Sequence, residues 1–273
     1  MNITVNGHAI FCYTGGKTLD PAKPSLLFIH GALNDHSVWS LQTRYMANHG
    51  WNVLALDLPG HGKSAGDPPR NVEAAAEFVL AFMDAAGLER AAIVGHSFGS
   101  LIALEAAGRA PERVSHLMLA GTAFPMKVSP ALLETSLKEP LKAIDMVNVF
   151  SHSMLAPPPS AFGPGTWLYG GSRALMRRVL ASNTKVNLFH AGFKACDDYT
   201  QGAAAMQRVS APTLFILGKR DQMTPPKAAQ GLIGKAVRSK VVTLDAGHQM
   251  MLEAPDGVLF AIRDFLAVAA KTD

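Results

Sequence analysis

Six short apolar runs, each closed off by turn residues, recur along the chain at 26–29, 53–56, 91–94, 117–120, 214–217 and 241–244. A strand that is apolar at every position has no polar face to offer water, so such runs predict strands covered on both sides, as in a parallel sheet. Most of the gaps between them place apolar residues at helical intervals, at 71–86, 100–110, 226–233 and 255–270, the last two opened by proline. Strand and helix alternate, and that alternation implies a doubly wound, mostly parallel α/β sheet. Residues 3–13 read as an antiparallel hairpin turning at Asn6-Gly7.

The rhythm breaks between residues 120 and 214, a gap too long for a loop. Helical patterns fill it at 130–152 (interrupted by Pro140), 172–182 and 185–199, separated by Pro157-Pro158-Pro159, Gly163-Pro164-Gly165 and Gly170-Gly171. The expected organisation is a sheet core from 1–123 and 207–273 carrying a helical insertion at 124–206. A chain of 273 residues with 48% hydrophobic and 17% charged side chains is long and apolar enough to bury such a core. Its longest unbroken apolar run is six residues, against the roughly 18 a membrane span needs. The N-terminal stretch lacks the pattern of a secretory signal, and two cysteines, Cys12 and Cys196, fit a reducing compartment, so a cytoplasmic protein is expected. The net charge of +4 is spread among 21 acidic residues, which gives no nucleic-acid footprint.

The chemistry concentrates at Gly95-His96-Ser97-Phe98-Gly99, directly after the run at 91–94 and at the opening of the following helix. A serine on a strand-to-helix turn projects its hydroxyl above the sheet, and glycine is needed two residues to either side because side chains there would collide with neighbouring backbone. A serine hydroxyl needs a base to take its proton, and the base needs an acid to fix its tautomer. Asp221 follows the run at 214–217 and His248 follows the run at 241–244, so all three lie beyond the carboxyl ends of strands, where open α/β sheets hold their sites. Asp245, three residues before His248, is the competing acid. Phosphate-loop and dinucleotide lookalikes fail on spacing, and the His-Glu-x-x-His metal motif is absent.

These motifs resemble those of the lid-bearing esterase group of α/β-hydrolase-fold serine hydrolases. The resemblance rests on His30-Gly31 with Trp39 downstream, Asp57-Leu58-Pro59-Gly60-His61-Gly62-Lys63-Ser64, the serine turn, and the Asp221 and His248 segments. It implies Ser97 as nucleophile, His248 as general base and then acid, Asp221 as orienting carboxylate, and the backbone N–H groups of Ala32 and Phe98 as oxyanion hole. It also implies that the insertion is a lid, and that a small-molecule ester is cleaved without a cofactor or metal. His36, Met126, Trp167, Met223 and Gln249 are expected around the substrate pocket. The insertion's apolar stock, which includes Met146, Phe150, Met154, Phe162, Phe189 and Phe193, suggests an apolar ester of small or medium size. Two other readings stand beside this one. A carbon–carbon bond hydrolase of diketone-type substrates would use the same triad, although Gln249 stands where that group usually carries tryptophan. A non-catalytic binding protein would keep the fold alone.

Overall fold

The computed structural model describes residues 1–153 and 166–269. Eight strands form one sheet: β1 (Asn2–Val5), β2 (His8–Tyr13), β3 (Ser25–Ile29), β4 (Asn52–Leu56), β5 (Ala91–His96), β6 (Val114–Ala120), β7 (Thr213–Gly218) and β8 (Ser239–Leu244). Their order is β1-β2-β4-β3-β5-β6-β7-β8, with β2 antiparallel to both of its neighbours and the remaining pairs parallel. The central strands β3, β4, β5 and β7 are buried at every position, as runs without a polar face must be. β8 departs from the expectation of double burial. It pairs only with β7 at the sheet edge, and none of its residues is buried.

Helices cover both faces. On one side α2 (Val72–Ala85), capped by the Asn71 side chain on the Ala74 N–H, and α3 (Phe98–Arg109) pack on the sheet in the larger apolar cluster. On the other, α1 (Ser40–Asn48) and a C-terminal helix, Pro255–Ala269, close a second cluster around Trp39 and Phe28. Between β6 and β7 lie α4 (Pro130–Lys138), α5 (Pro140–Ser151), α6 (Leu168–Ala181), α7 (Leu188–Asp198) and α8 (Gly202–Arg208). The interruption at Pro140 is a true break, because proline opens α5 and Glu139 ends α4. Gly170-Gly171, expected as a separator, instead lies inside α6: the Trp167 ring occupies the space of a side chain at 170, where a Cβ would sit 2.3 Å from the indole. The Pro157 and Gly163 separators, with Met154 and Phe162, lie outside the described residues.

The insertion has its own core, in which Ile144, Val147, Met176, Val179, Phe189 and Phe193 meet Leu33 of the loop after β3. α8 packs back on α3, where a Cβ on Gly108 would lie 2.8 Å from the Ala205 carbonyl oxygen. Nearby, buried Tyr199 donates to Glu105 at 2.7 Å, and Arg109 pairs with the same carboxylate. Short helices α9 (Gln230–Ile233) and α10 (Met250–Glu253) follow β7 and β8; the helix over 255–269 is α11. No helix among the described residues is long and apolar enough to cross a membrane.

Candidate active site

Ser97 follows β5 directly with φ 53° and ψ −119°, a positive-φ conformation unfavourable for a residue with a Cβ. The turn is held because both flanking glycines are indispensable. A Cβ at Gly95 would lie 2.0 Å from the Gly99 carbonyl oxygen, and one at Gly99 would lie 2.5 Å from that of His30. Ser97 occupies the N-cap position of α3, yet its side chain makes no capping bond. The hydroxyl is therefore not spent on the helix. Among the described residues the Ala32 and Phe98 N–H groups have no protein acceptor, and Phe98 adds the positive end of the α3 dipole.

Beyond β7, the Asp221 carboxylate is fixed from four sides. Its Oδ1 accepts the backbone N–H groups of Met223 and Thr224 at 2.8 Å each, and its Oδ2 accepts the Thr224 hydroxyl at 2.7 Å and His248 Nδ1 at 2.8 Å. Burial pushes the Asp221 carboxyl up, but the charge and hydrogen bond of His248 and the Thr224 donors outweigh it and hold the group below the usual carboxylate range. The Thr224 oxygen also lies 3.1 Å from His248 Nδ1, so hydroxyl, carboxylate and ring form one buried cluster. Nothing in the catalytic motifs singles out Thr224; its signal is local, a hydroxyl three residues after Asp221, where it closes a turn on the acid's side chain. Asp245 stands apart. Its side chain is 75% exposed and pairs with Arg220 at 3.2 Å.

Ser97 and His248 line one cavity of about 310 Å³ together with Ala32, Met126 and Met223. Thr224, Val128, Leu132, Met146, Phe150, Phe193 and Cys196 complete most of its wall, which is largely apolar and largely supplied by the insertion. Burial pushes the Cys196 thiol up, which keeps it protonated. Gln249 lines a smaller adjoining cavity.

Two expected pocket residues lie elsewhere. His36 is drawn to Asp57, whose Oδ1 sits 2.8 Å from both its backbone nitrogen and Nδ1, and it packs against Phe11. Trp167 is 59% exposed at the start of α6 and stacks on Tyr169, because Gly170 leaves its ring a seat on the helix rather than in the cavity. Asp57 organises its loop by also accepting the Lys63 N–H at 3.0 Å; a Cβ on Gly62 would stand 2.6 Å from it. Asp35, His36 and Asp57 bring possible metal ligands within 4.8 Å of one another, but their oxygens already hold Arg178, Ser37, His36 and Lys63. The cluster is a hydrogen-bond node tying the loop to α6.

His30 and His96 support the site from behind. His30 Nε2 accepts the Leu58 N–H at 3.1 Å while Nδ1 faces the Gly31 carbonyl, and burial lowers its pKa. His96 Nε2 lies 2.9 Å from the His248 carbonyl oxygen, which holds the histidine loop against the end of β5.

Comparison with known proteins places the chain in a family. The profile of the alpha/beta hydrolase family matches residues 26–261, and the protein belongs to that family. A pimeloyl-acyl-carrier-protein methyl ester esterase from Neisseria meningitidis serogroup A is 28% identical over 263 residues, covering 92% of this chain and 79% of its own. The protein of the same description from Aromatoleum aromaticum is 28% identical over 256 residues, covering 89% and 98%. The solved enol-lactonase from Burkholderia xenovorans LB400 superposes with a TM-score of 0.83 at 22% identity, over 98% of this chain and all of that one, a likeness of fold.

Proposed function

We propose that the protein is a serine hydrolase that cleaves carboxylic esters through an acyl-enzyme, with Ser97 as nucleophile, His248 as base and Asp221 as orienting acid. The observation that carries the reading is the fourfold anchoring of Asp221 against His248 Nδ1, beside a serine held on a strained turn in the same cavity. An anchored carboxylate accepts the Nδ1–H, which leaves Nε2 bare to take a proton. Ser97 Oγ attacks the ester carbon as His248 removes its proton, and the developing oxyanion is met by the Ala32 and Phe98 N–H groups. The imidazolium then protonates the leaving alkoxide, and water attacks the acyl-serine by the same route in reverse.

The ester class is supported by the relatives named as esterases. A preference for apolar esters of small or medium size is supported by the cavity volume of about 310 Å³ and its methionine-rich wall. We read residues 124–206 as a lid on the core of 1–123 and 207–273, and the two unpaired, buried cysteines suit a cytoplasmic setting. The test is hydrolysis of p-nitrophenyl esters of increasing acyl length, with Ser97→Ala beside the native protein. The expected result is turnover that vanishes in the variant and peaks at short or medium acyl chains. A folded native protein inactive on every ester would instead favour the carbon–carbon hydrolase or a binding role.

A further inference from the structure

A second, much smaller cavity of about 30 Å³ lies beside Ser97. It shares Ala32, Ser97, Phe193, Met223 and His248 with the large cavity, but three of its polar walls, Asn34, His96 and Ser151, have no part in the chemistry above. Each of these side chains is at least nine-tenths buried, and among the described residues Asn34 Oδ1, His96 Nδ1 and Ser151 Oγ have no hydrogen-bond partner. Unpaired polar atoms are rare in protein interiors, and three facing one cavity call for a common partner. Two of the groups meet at Gly31, where a Cβ would lie 3.0 Å from His96 Nδ1 and 3.4 Å from Asn34 Nδ2. Only glycine leaves that space open.

The chemistry of the wall defines the partner. His96 Nε2 faces a carbonyl oxygen, which only accepts, so the ring hydrogen is on Nε2 and Nδ1 is a bare acceptor. Burial, with the neighbouring His248, pushes the ring's pKa down to about 3, so at neutral pH it gains no second N–H. Asn34 Oδ1 is another acceptor, and the Ser151 hydroxyl serves either way. A carboxylate or a carbonyl cannot satisfy two acceptors. Water, with two hydrogens, donates to both and accepts from Ser151, whereas an alcohol donates its single O–H to one of them and accepts from Ser151.

We propose that this cavity is the acceptor site of the second half-reaction: it binds water, or an alcohol about the size of methanol, and presents it to the acyl group on Ser97. The inference rests on the ester-hydrolase reading. In the step, the bound molecule turns one O–H from a wall acceptor toward His248, its oxygen forms a bond to the acyl carbon, and that proton passes to His248. The bond from that carbon to Ser97 Oγ breaks, and His248 returns the proton to Ser97. Water yields the free acid, methanol yields its methyl ester, and the serine is regenerated in both cases.

The experiment partitions the acyl-enzyme formed from p-nitrophenyl acetate between water and an equimolar series from methanol to 1-butanol. An acceptor seated in so small a cavity gives an efficiency that falls tenfold or more from methanol to butanol. Equal or rising efficiency along the series, as expected for acceptors entering through the apolar cavity, overturns the proposal. Ser151→Val, which removes the hydroxyl and fills the space, slows deacylation relative to acylation tenfold or more and enlarges the p-nitrophenol burst; a ratio within twofold of native overturns it. If that variant does not fold, the alcohol series on the native protein decides alone. Release of p-nitrophenol that is absent, or that persists in Ser97→Ala, sinks the ester reading itself. Release that depends on Ser97 with a flat alcohol series sinks only the acceptor site.

Discussion

Asparagine at position 221 separates the fold of the site from its chemistry. Its side-chain oxygen can keep the two 2.8 Å contacts from the Met223 and Thr224 N–H groups, which places the new amide nitrogen where Oδ2 now stands. That nitrogen donates to Thr224 Oγ1 and to His248 Nδ1, the atoms now 2.7 and 2.8 Å from Oδ2. Every contact survives, the two at the Oδ2 position with their direction reversed, so the loss of folding stability stays at about 1–2 kcal/mol, the scale of exchanging charged for neutral hydrogen bonds. The proton of His248 is forced onto Nε2, and the ring can no longer serve as base. A wrong tautomer with no carboxylate behind it costs on the order of 10⁴ in turnover, about 5 kcal/mol of transition-state stabilisation. Asp245→Asn provides the contrast, because its pairing with Arg220 is solvent-screened, contributes at most about 1 kcal/mol and lies outside the site. The assay is kcat/KM on a p-nitrophenyl ester for both variants beside thermal melting. An Asp221→Asn protein retaining more than about a tenth of native turnover, or an Asp245→Asn protein losing as much, would refute this assignment of the acid.

Two further outcomes concern stability. His61 and His96 are buried, with pKa values pushed down to about 4 and about 3 from 6.5. Below pH 6.5 the unfolded chain binds protons that the native rings refuse, so stability is complete above that pH and falls by roughly 1.4 kcal/mol per pH unit per histidine as pH drops toward the native values. Asp35, Asp57 and Asp221, all held below the usual carboxylate range, add their loss only under more acid conditions, as pH falls through their native pKa values. Urea midpoints at pH 7, 6 and 5 check the slope, and a flat series would show the histidines protonated in the native state. Glu253→Gln places an amide nitrogen against one of the donors its carboxylate now satisfies, the Gly247 and Ser153 N–H groups at 2.8 Å. The expected cost is about 2–3 kcal/mol, or a melting temperature lower by at least about 5 °C; an unchanged melt would remove this carboxylate from the account of stability.

The sheet was legible because its order rests on periodicity: runs without a polar face became the buried strands, and the Asn6-Gly7 hairpin joined them antiparallel as expected. Composition alone does not reveal an edge, which is why β8, apolar at 241–242 and 244, was expected to be covered. The serine turn was legible for a different reason. Its two glycines are demanded by backbone approaches of 2.0 and 2.5 Å, a constraint that leaves its mark in residue type. α1 is not legible because Ser40–Asn48 carries a weak apolar stripe, and α8 because its seven residues, with Met206 as their one large apolar side chain, are too few to show a periodic face. His36 and Trp167 were misplaced because proximity to a motif says nothing of which neighbour a side chain prefers. Asp57 offers His36 a charged partner, and Gly170 offers Trp167 a flat seat.

The insertion is bound to the loops after β3 and β8 at several points, and these contacts explain how it can define a pocket as small as this one. The carbonyl of Ser151 at the end of α5 accepts the Gln249 N–H at 3.1 Å, one residue beyond His248. Glu253 spans Ser153 and Gly247, joining the chain after α5 to the residue before His248. On the opposite side Gly192 of α7 sits against Ala32, where a Cβ would approach the Ala32 Cβ to 3.0 Å, and Arg178 of α6 reaches Asp35 at 2.8 Å. The segments after β3 and β8 each contribute to the cavity wall and are each held by two of these contacts with the insertion. A displacement of α5 large enough to admit a bulkier ester would therefore break the Ser151–Gln249 contact and disturb the placement of His248. Widening the pocket by substitution in α5 should thus lower turnover on small esters before it raises turnover on large ones, whereas Leu132 on α4, which lines the cavity from a helix that makes no hydrogen bond to the histidine loop among the described residues, is the place where pocket size changes at least cost to the chemistry.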